Sequence, residues 1–491
     1  MAPSLSFTIP EQPEPPAFLS HAPLSRMESS LAVSYIDELE SQVTLVDEAI
    51  ARLQIRREDL IQSIQNHKTL LSPIRRLPRE ILGEIFSLAV YSAFHSGGGF
   101  GFTFNFSPLI TRKAPWLLTH VCQDWSAAVL ANPALWSLIF VDLDDGDQRG
   151  IVRLTKLWLQ RSGDVPLTIK VFGEDPRRSH PVLKALLLSR GRWQTAHFSV
   201  PTSQLSQIMA SEERLSALTT SIITVEGRPL TEEFWDLLAD DAPQLRTLQA
   251  LSWEKRHLLR ASFPLPWNQL TRLSTSFNSN TEALAMLQNL SDIVECTFAW
   301  PKSEILSNHS TIPLLHLRSL VLQVEGPNGY PDEMYQKHTS LLDFLETPSL
   351  RRLTTRGSAD EEAVLGLITR SDCTSSLTRL YFHSSAVNQS EFVQLIQKLP
   401  RLASLHIEDL DGALFPKSGV PTFIGTLYDQ WLKSRDVLPG ASLPSCSVRI
   451  MDSQYSGDIS RELAKMHEHG FFVEILPDSF IMDIIEDRFN Y

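Results

Sequence analysis

Cysteine is scarce in this sequence of 491 residues. There are only four, and no two of them form a CxxC pair: Cys122, Cys296, Cys373 and Cys446. The histidines are scattered, and although His467 and His469 lie close together, side chains two residues apart cannot share one face of a helix. We therefore predict reduced, mostly buried thiols, no disulfide framework, no metal site and no cofactor.

Positive charge and long apolar runs are also in short supply. The 44 lysines and arginines are outnumbered by 57 acidic residues, and the resulting net charge of -13 disfavours nucleic acid and anionic lipid as partners. The longest apolar-rich run, residues 81–94, contains Gly83 and Glu84 and is shorter than the ~18 residues of a membrane span. Residues 1–26 lack a signal-peptide pattern. These absences predict a cytoplasmic or nuclear protein.

Catalytic signatures are missing as well. The chain has no nucleophile elbow, no HExxH helix and no nucleotide-binding loop at usable spacing. Three consecutive glycines, Gly97–Gly99, have no strand before them and do not complete a phosphate-binding motif, so they indicate a flexible loop. We predict that the protein is not an enzyme.

The chain does have the composition of a folded protein, with 43% apolar and 21% charged residues. Its length favours several modules or a repeat array over one ordinary domain. The first 30 residues are different, because six of them are prolines, which remove backbone donors and prevent helix or sheet from propagating. Residues 1–30 are therefore predicted to be a disordered leader.

Between residues 31 and 72 apolar side chains recur at alternating steps of three and four, the period of a coiled-coil heptad. The seam consists of Ile36, Leu39, Val43, Val46, Ile50, Leu53, Leu60, Ile64 and Leu71, with Arg57 and His67 in the two remaining positions. The pattern predicts a helix over 31–72 that Pro73 ends. Two interpretations stay open: a strut packed on its own chain, or a homodimer through residues 31–71.

Two shorter amphipathic helices are predicted after Pro73. The first begins near Pro78 and carries one apolar face, formed by Ile81, Leu82, Ile85, Phe86 and Ala89. The second covers residues 116–130, where Val121, Cys122 and Trp125 have the composition of a buried core. So small a module needs a partner for its surplus apolar surface, unless that surface is the inner core of a helical hairpin.

Three blocks in this region resemble the F-box: LPREILGEIF (77–86), VCQDW (121–125) and PALW (133–136), in the family's order. The resemblance, to fungal F-box proteins with an N-terminal coiled coil, implies a trihelical domain over 73–138 that docks on the Skp-family adaptor of a cullin ubiquitin ligase. The insertion at 91–115 and the lack of a basic residue before Trp125 depart from the family pattern. By this resemblance the docking residues are Leu77, Pro78, Ile81, Leu82, Ile85, Phe86, Val121, Trp125, Pro133, Leu135 and Trp136.

Beyond Trp136 a short apolar pattern recurs at intervals of 22 to 33 residues, which brackets the leucine-rich-repeat period of about 20 to 29. Its copies begin at Trp193, Leu215, Leu245, Leu270, Ile293, Leu317, Leu350, Leu377 and Leu402. Helix-like stretches lie between copies, with Thr231, Thr281, Thr339 and Ser390 as predicted caps. We predict an α/β fold in which residues 139–491 form a degenerate leucine-rich-repeat solenoid with a parallel sheet and helices. Residues 154–172 also resemble the first helix and strand of that region in fungal F-box proteins.

Variable residues alternate with apolar ones along each predicted strand and should share one face of the sheet. In the late copies this face is basic and aromatic: Arg352, Arg356, Arg379, Tyr381, His383 and His406. We hypothesise that it binds an acidic or phosphorylated segment of a protein substrate through charge-assisted hydrogen bonds; a solvated face without a ligand is the alternative. The sequence thus suggests a substrate-recognition adaptor, or else a coiled-coil scaffold with no role in ubiquitin transfer.

Overall fold

A computed structural model of the chain describes fourteen segments and a few isolated positions between 394 and 466. The segments are 24–95, 113–144, 148–174, 181–211, 213–225, 230–252, 258–277, 279–300, 310–324, 341–356, 361–383, 401–408, 446–451 and 471–476. They form a mixed α/β protein with a long N-terminal helix and a large parallel sheet. The chain divides into two compact units, residues 1–81 and 82–491. Most of the predicted leader (1–23) and the triple glycine Gly97–Gly99 lie outside the described residues.

The long helix, α1, spans Arg26–Leu70 and ends before Pro73, as predicted. Its start was predicted too late, because Ser25 and Glu28 form a capping box that the heptad pattern does not reveal. The backbone N–H of Ser25 donates to a Glu28 carboxylate oxygen at 2.8 Å, and the backbone N–H of Glu28 donates to Ser25 Oγ at 3.3 Å. These hydrogen bonds lower the pKa of Glu28. No helix among the described residues is long and apolar enough to span a membrane.

Three helices follow: α2 (Arg79–His95), α3 (Trp116–Thr119) and α4 (Gln123–Leu130). The single helix predicted over 116–130 is wrong, because Cys122 has extended backbone angles (φ -160°, ψ 171°) that separate α3 from α4. Val121 and Cys122 therefore lie in a turn and are exposed, which corrects their predicted place in the core. A 3-10 turn, Pro133–Trp136, leads directly into the sheet.

Thirteen of the described strands form one parallel sheet whose spatial order is the order of the chain. They are β1 (Leu138–Asp142), β2 (Leu167–Phe172), β3 (Trp193–Ser199), β4 (Thr220–Val225), β5 (Thr247–Ser252), β6 (Arg272–Ser276), β7 (Glu295–Trp300), β9 (Ser319–Val324), β11 (Arg352–Arg356), β12 (Arg379–His383), β13 (Ser404–Glu408), β14 (Cys446–Met451) and β15 (Phe471–Leu476). Two short strands, β8 (Ile312–Pro313) and β10 (Leu345–Glu346), pair separately. Parallel neighbours require crossover connections, so chain order and spatial order coincide only if each crossover advances the sheet by one strand.

Six described helices lie in the crossovers: α5 (Gln148–Arg161), α6 (Pro181–Leu187), α7 (Thr202–Met209), α8 (Glu232–Asp241), α9 (Asn280–Gln288) and α10 (Glu361–Ser371). The helix and strand expected within 154–172 are present as α5 and β2. At α9 the capping residue is Ser279, whose hydroxyl accepts from the Glu282 N–H, and not Thr281; Thr231 makes no side-chain cap. Where a helix capped by Thr339 was predicted, the described residues form a 3-10 turn, Leu341–Phe344, followed by β10. Thr339 and Ser390 lie outside the described residues.

The predicted repeat register holds for most copies. Seven of them, from Leu245 to Leu402, begin two residues before a strand, and those of their apolar positions whose side chains the structure describes are buried. The copy at Leu215 is out of register by three residues, because Thr220 pairs with Thr247 and this alignment gives Leu218 the place that Leu245 has in the next copy. Leu215 instead lies in the preceding turn, where its carbonyl accepts from the Leu218 N–H.

Candidate protein-interaction surfaces

Helix α2 is apolar on two sides. One side is buried and consists of Leu82, Phe86 and Val90 at spacings of four residues. The other side consists of Ile81, Ile85 and Leu88, which are 48%, 40% and 69% exposed. A surface helix of a globular protein usually has one apolar stripe facing the core and a polar opposite face. The exposed apolar side chains of this outer stripe, Ile81, Ile85 and Leu88, are therefore not needed to pack α2 within its own chain.

The inner side of α2 packs on the residues of the VCQDW block. The Phe86 ring is only 1% exposed, and its centroid lies 4.8 Å from that of Trp125. Trp125 itself is half-buried. Two of the predicted docking residues thus contact each other, and Phe86 anchors α2.

The closing PALW block is also internal. The Asn132 side chain accepts from the Ala134 N–H at 3.2 Å and caps the 3-10 turn. Trp136 is fully buried, and its indole N–H donates to the carbonyl of Val129 at 3.1 Å. This hydrogen bond ties the turn to the last residues of α4.

A tryptophan cluster continues from the PALW block into the sheet region. The rings of Trp116, Trp136 and Trp158 lie edge to face, with centroids 5.1 to 5.9 Å apart. The Arg161 guanidinium lies 4.5 Å from the Trp116 centroid and 4.4 Å from that of Trp136, a cation–π arrangement, and burial lowers its pKa. Sequence reasoning missed this cluster, although Trp158 and Arg161 are three residues apart and therefore neighbours on the surface of a helix.

The eleven docking residues predicted from the resemblance therefore fall into three groups. Pro78, Ile81, Ile85, Val121 and Pro133 are exposed; Leu77 and Trp125 are half-buried; Leu82, Phe86, Leu135 and Trp136 are buried. The buried four are inaccessible to a partner in the folded chain and position the other residues. The exposed residues, and the exposed parts of Leu77 and Trp125, are available for contact.

On the sheet, the six predicted substrate residues lie on three adjacent strands, β11, β12 and β13. Arg352 pairs with Arg379, and Arg356 pairs with His383. Tyr381 pairs with His406, and their rings stack with centroids 4.2 Å apart at an interplanar angle of 19°. The side chains of Arg356 and His383 lie outside the described part of the structure.

Exposure differs among these residues. Tyr381 and His406 are buried, at 9% and 8% exposure, whereas Arg352 is half-buried and Arg379 exposed. The stacked Tyr381–His406 pair is therefore covered, and Arg352 and Arg379 are the accessible positive charges of this part of the sheet. Another arginine of the same face, Arg272, is 3.2 Å from Glu295 on the neighbouring strand, so its charge is already compensated.

The row of paired residues that contains Tyr381 and His406 also contains a basic pair at the other end of the sheet, which sequence reasoning missed. Lys170 on β2 pairs with His197 on β3, and the register continues strand by strand to Tyr381 and His406. Burial, together with the charge of Lys170, lowers the pKa of His197 to about 3. Burial likewise lowers the pKa of Lys170. His197 is therefore neutral at physiological pH and packs edge to face on Phe172, at 5.1 Å between centroids.

No protein-family model and no curated protein matches this chain. Inferences about function therefore depend on the two surfaces and on the resemblance in sequence. Cys296 and Cys373 are buried as predicted, and burial raises their pKa, that of Cys373 to about 11. Within the described segments, no group of three or more His, Cys, Asp or Glu side chains is arranged to hold a metal ion.

Proposed function

We propose that this chain is an F-box substrate-recognition adaptor of a Skp-cullin-type ubiquitin ligase. The observation that carries the proposal is the outer stripe of α2. Ile81 and Ile85 belong to the block that resembles the F-box, and both are exposed while the opposite side of the same helix is buried. An exposed apolar stripe at that point in the sequence is what docking on a Skp-family adaptor requires.

The second part of the proposal is that the sheet region is a degenerate leucine-rich-repeat solenoid that holds the substrate. Its support is the strand order, which follows the chain, and the recurrence of one strand at each repeat. Stacked repeats of this kind form extended binding faces. Arg352 and Arg379 provide such a face with two neighbouring positive charges.

The mechanism is positional. The helical module fixes the chain to the ligase, the sheet binds the substrate, and a tethered substrate experiences an effective concentration on the order of millimolar. The chemistry of ubiquitin transfer belongs to the partner enzyme. The alternative, a coiled-coil scaffold with no role in ubiquitin transfer, is favoured by the exposed second half of α1, where every residue from 51 to 68 is exposed.

Changing Leu77, Pro78 and Ile81 together to alanine is expected to abolish co-purification with the Skp-family adaptor. Each truncation removes apolar contact area from an accessible residue, and central apolar contacts of an interface cost about 1–2 kcal/mol each when truncated. A combined loss of a hundredfold or more in affinity is expected on this scale.

The matched control is Leu188→Ala with Leu315→Ala, two leucines outside this module that are 82% and 55% exposed. It should leave adaptor binding unchanged. Far-UV circular dichroism of all variants checks that folding is intact. If the wild-type chain does not bind the adaptor at all, the proposal is wrong and the scaffold becomes the better explanation.

Reversing the charge of Arg352 and Arg379 to glutamate is expected to remove binding of acidic or phosphorylated peptides by the sheet. The probe is an array of immobilised acidic and phosphorylated peptides, with the unmodified sequences as a reference. The measurement is the amount of wild-type and of variant protein that each peptide retains. Charge-assisted hydrogen bonds contribute roughly 1.5–3 kcal/mol each, so at least a tenfold loss is expected.

The control Arg318→Glu with Arg351→Glu makes the same change of charge at exposed positions that immediately precede β9 and β11. Equal losses in the two double variants would assign the effect to net charge and would contradict a specific site at Arg352 and Arg379.

A further inference from the structure

The two halves of α1 differ in how they are covered. Between residues 35 and 49 a line of half-buried or buried side chains follows the helical period: Tyr35, Leu39, Gln42, Val46 and Ala49. From residue 51 to residue 68 every side chain is exposed. The uncovered half nevertheless keeps its apolar seam, with Leu53, Leu60 and Ile64 exposed at 68%, 50% and 54%. Apolar side chains lined up on an exposed helix face are a surface that the fold of the single chain does not use and that a partner can cover.

The seam indicates what kind of partner fits. It follows the 3.5-residue heptad strictly, whereas helices that pack on a globular core have a wider stripe. The flanking positions are mostly polar, among them Gln54, Arg56 and Ser63. A narrow seam with polar flanks is the surface that another helix covers.

Self-complementarity then favours a second copy of the same helix over a foreign one. In a parallel pair, Arg57 would face Arg57 and His67 would face His67, which places like groups together in the seam. In an antiparallel pair centred between Glu58 and Asp59, Arg57 lies beside Leu60 of the second copy and His67 beside its Ile50. Arg57 can then extend its apolar stem along the seam and hold its charge in water.

The remaining positions agree with the antiparallel alignment. Ile64 faces Leu53 of the second copy, an apolar pair. Asp47, on the flank, approaches Lys68 of the second copy, an attractive pair of opposite charges. A shift by one heptad toward the N-terminus brings two Arg56 side chains together, and a shift toward the C-terminus brings Arg57 beside His67. The alignment centred between Glu58 and Asp59 avoids both repulsions.

We propose that residues 50–67 form an antiparallel coiled coil with the same segment of a second copy of this chain, with Asp47 and Lys68 flanking its two ends. The proposal does not depend on the function inferred above, because it uses only α1. In such a dimer the C-terminal ends of the two α1 helices, which precede the F-box-like blocks, lie about 35 Å apart along the coil.

The first test is the mass of the full chain in solution by light scattering after size exclusion, across a wide range of protein concentration. The expected mass is that of two chains of 55.3 kDa. Changing Leu53 and Leu60 to glutamate should return it to that of one chain. Both residues are exposed in the single chain, so helicity by circular dichroism should stay unchanged.

The matched control is Ile55→Glu, which changes an equally exposed isoleucine (62%) on the side of the helix away from the seam. This variant should remain dimeric. A monomeric wild-type chain at every concentration would overturn the proposal, and so would a dimer that survives the Leu53 and Leu60 changes or one that is lost in the Ile55 control.

Orientation is tested with cysteines in a Cys122→Ser background, because Cys122 is exposed. Chains carrying Asp47→Cys are mixed with chains carrying Lys68→Cys and oxidised, and the cross-link is mapped by mass spectrometry. An antiparallel coil predicts a 47–68 disulfide in the mixture. The opposite arrangement is tested with His67→Cys in the same background, because a seam residue faces itself only in a parallel coil; a 67–67 disulfide would indicate a parallel coil and overturn the proposed arrangement.

Discussion

Replacing Trp136 with alanine is expected to lower the free energy of unfolding by about 3–5 kcal/mol. The side chain is fully buried between Trp116 and Trp158, and its removal leaves a cavity that those rings cannot fill. The change also removes the hydrogen bond to the Val129 carbonyl and one of the two rings under the Arg161 guanidinium. An effect of this size should be visible as an earlier transition in urea, followed by far-UV circular dichroism.

Trp136→Phe separates the contributions at this position. It keeps most of the apolar volume but removes the indole N–H, so a smaller loss is expected, of about 1–3 kcal/mol for the unsatisfied Val129 carbonyl. Leu188→Ala, at an 82% exposed position, serves as the surface control and should change stability by less than about 0.5 kcal/mol. A Trp136→Ala chain as stable as this control would show that the cluster has no structural role.

Replacing Arg190 with alanine is the second change expected to be severe. Arg190 is fully buried in the 3-10 turn before β3, and one of its terminal nitrogens donates to Asp241 Oδ2 at 2.8 Å, near the end of α8. The other donates to the carbonyls of Ser211 and Glu213 in the connection before β4. Burial lowers the pKa of the Arg190 guanidinium, and the nearby Asp241 carboxylate opposes that shift.

Removing Arg190 leaves a largely buried carboxylate and two carbonyls without their donor. Breaking a buried ion pair from one side costs about 3–5 kcal/mol, because the remaining charge is uncompensated. Hydrogen exchange of β3 and β4 should report the loss locally, since each of these strands pairs with the strands beside it. Arg214→Ala, an exposed arginine in the same connection, should leave exchange unchanged. Equal exchange in the two variants would contradict the role assigned to Arg190.

Periodic features of the fold were predictable from the sequence. The heptad predicts α1, and the recurring apolar pattern predicts most strands of the sheet in the right register, because both depend on spacing along a short stretch of chain. The errors occur where a local detail overrides the period. The capping box at Ser25 extends α1, and the extended backbone of Cys122 interrupts the helix predicted over 116–130.

Contacts between distant residues were less predictable, and they determine the character of the candidate surfaces. Apolar spacing places Leu82 and Ile85 on one helix, but it does not show which of them the fold covers. Likewise the burial of Tyr381 and His406 depends on ring stacking across two strands. The buried Arg190 has no signature in the sequence, because its partners lie up to 51 residues away.

The order of the sheet has a consequence for how the chain acquires its structure during synthesis. In the thirteen-stranded sheet, every strand after β1 pairs with one that the ribosome has already produced, because spatial order follows chain order. Each new strand of this sheet can therefore add to a completed edge as it emerges, without waiting for distant sequence. The residues of the tryptophan cluster, up to Arg161, are all synthesised before β2. The cluster can therefore form before any strand adds to β1.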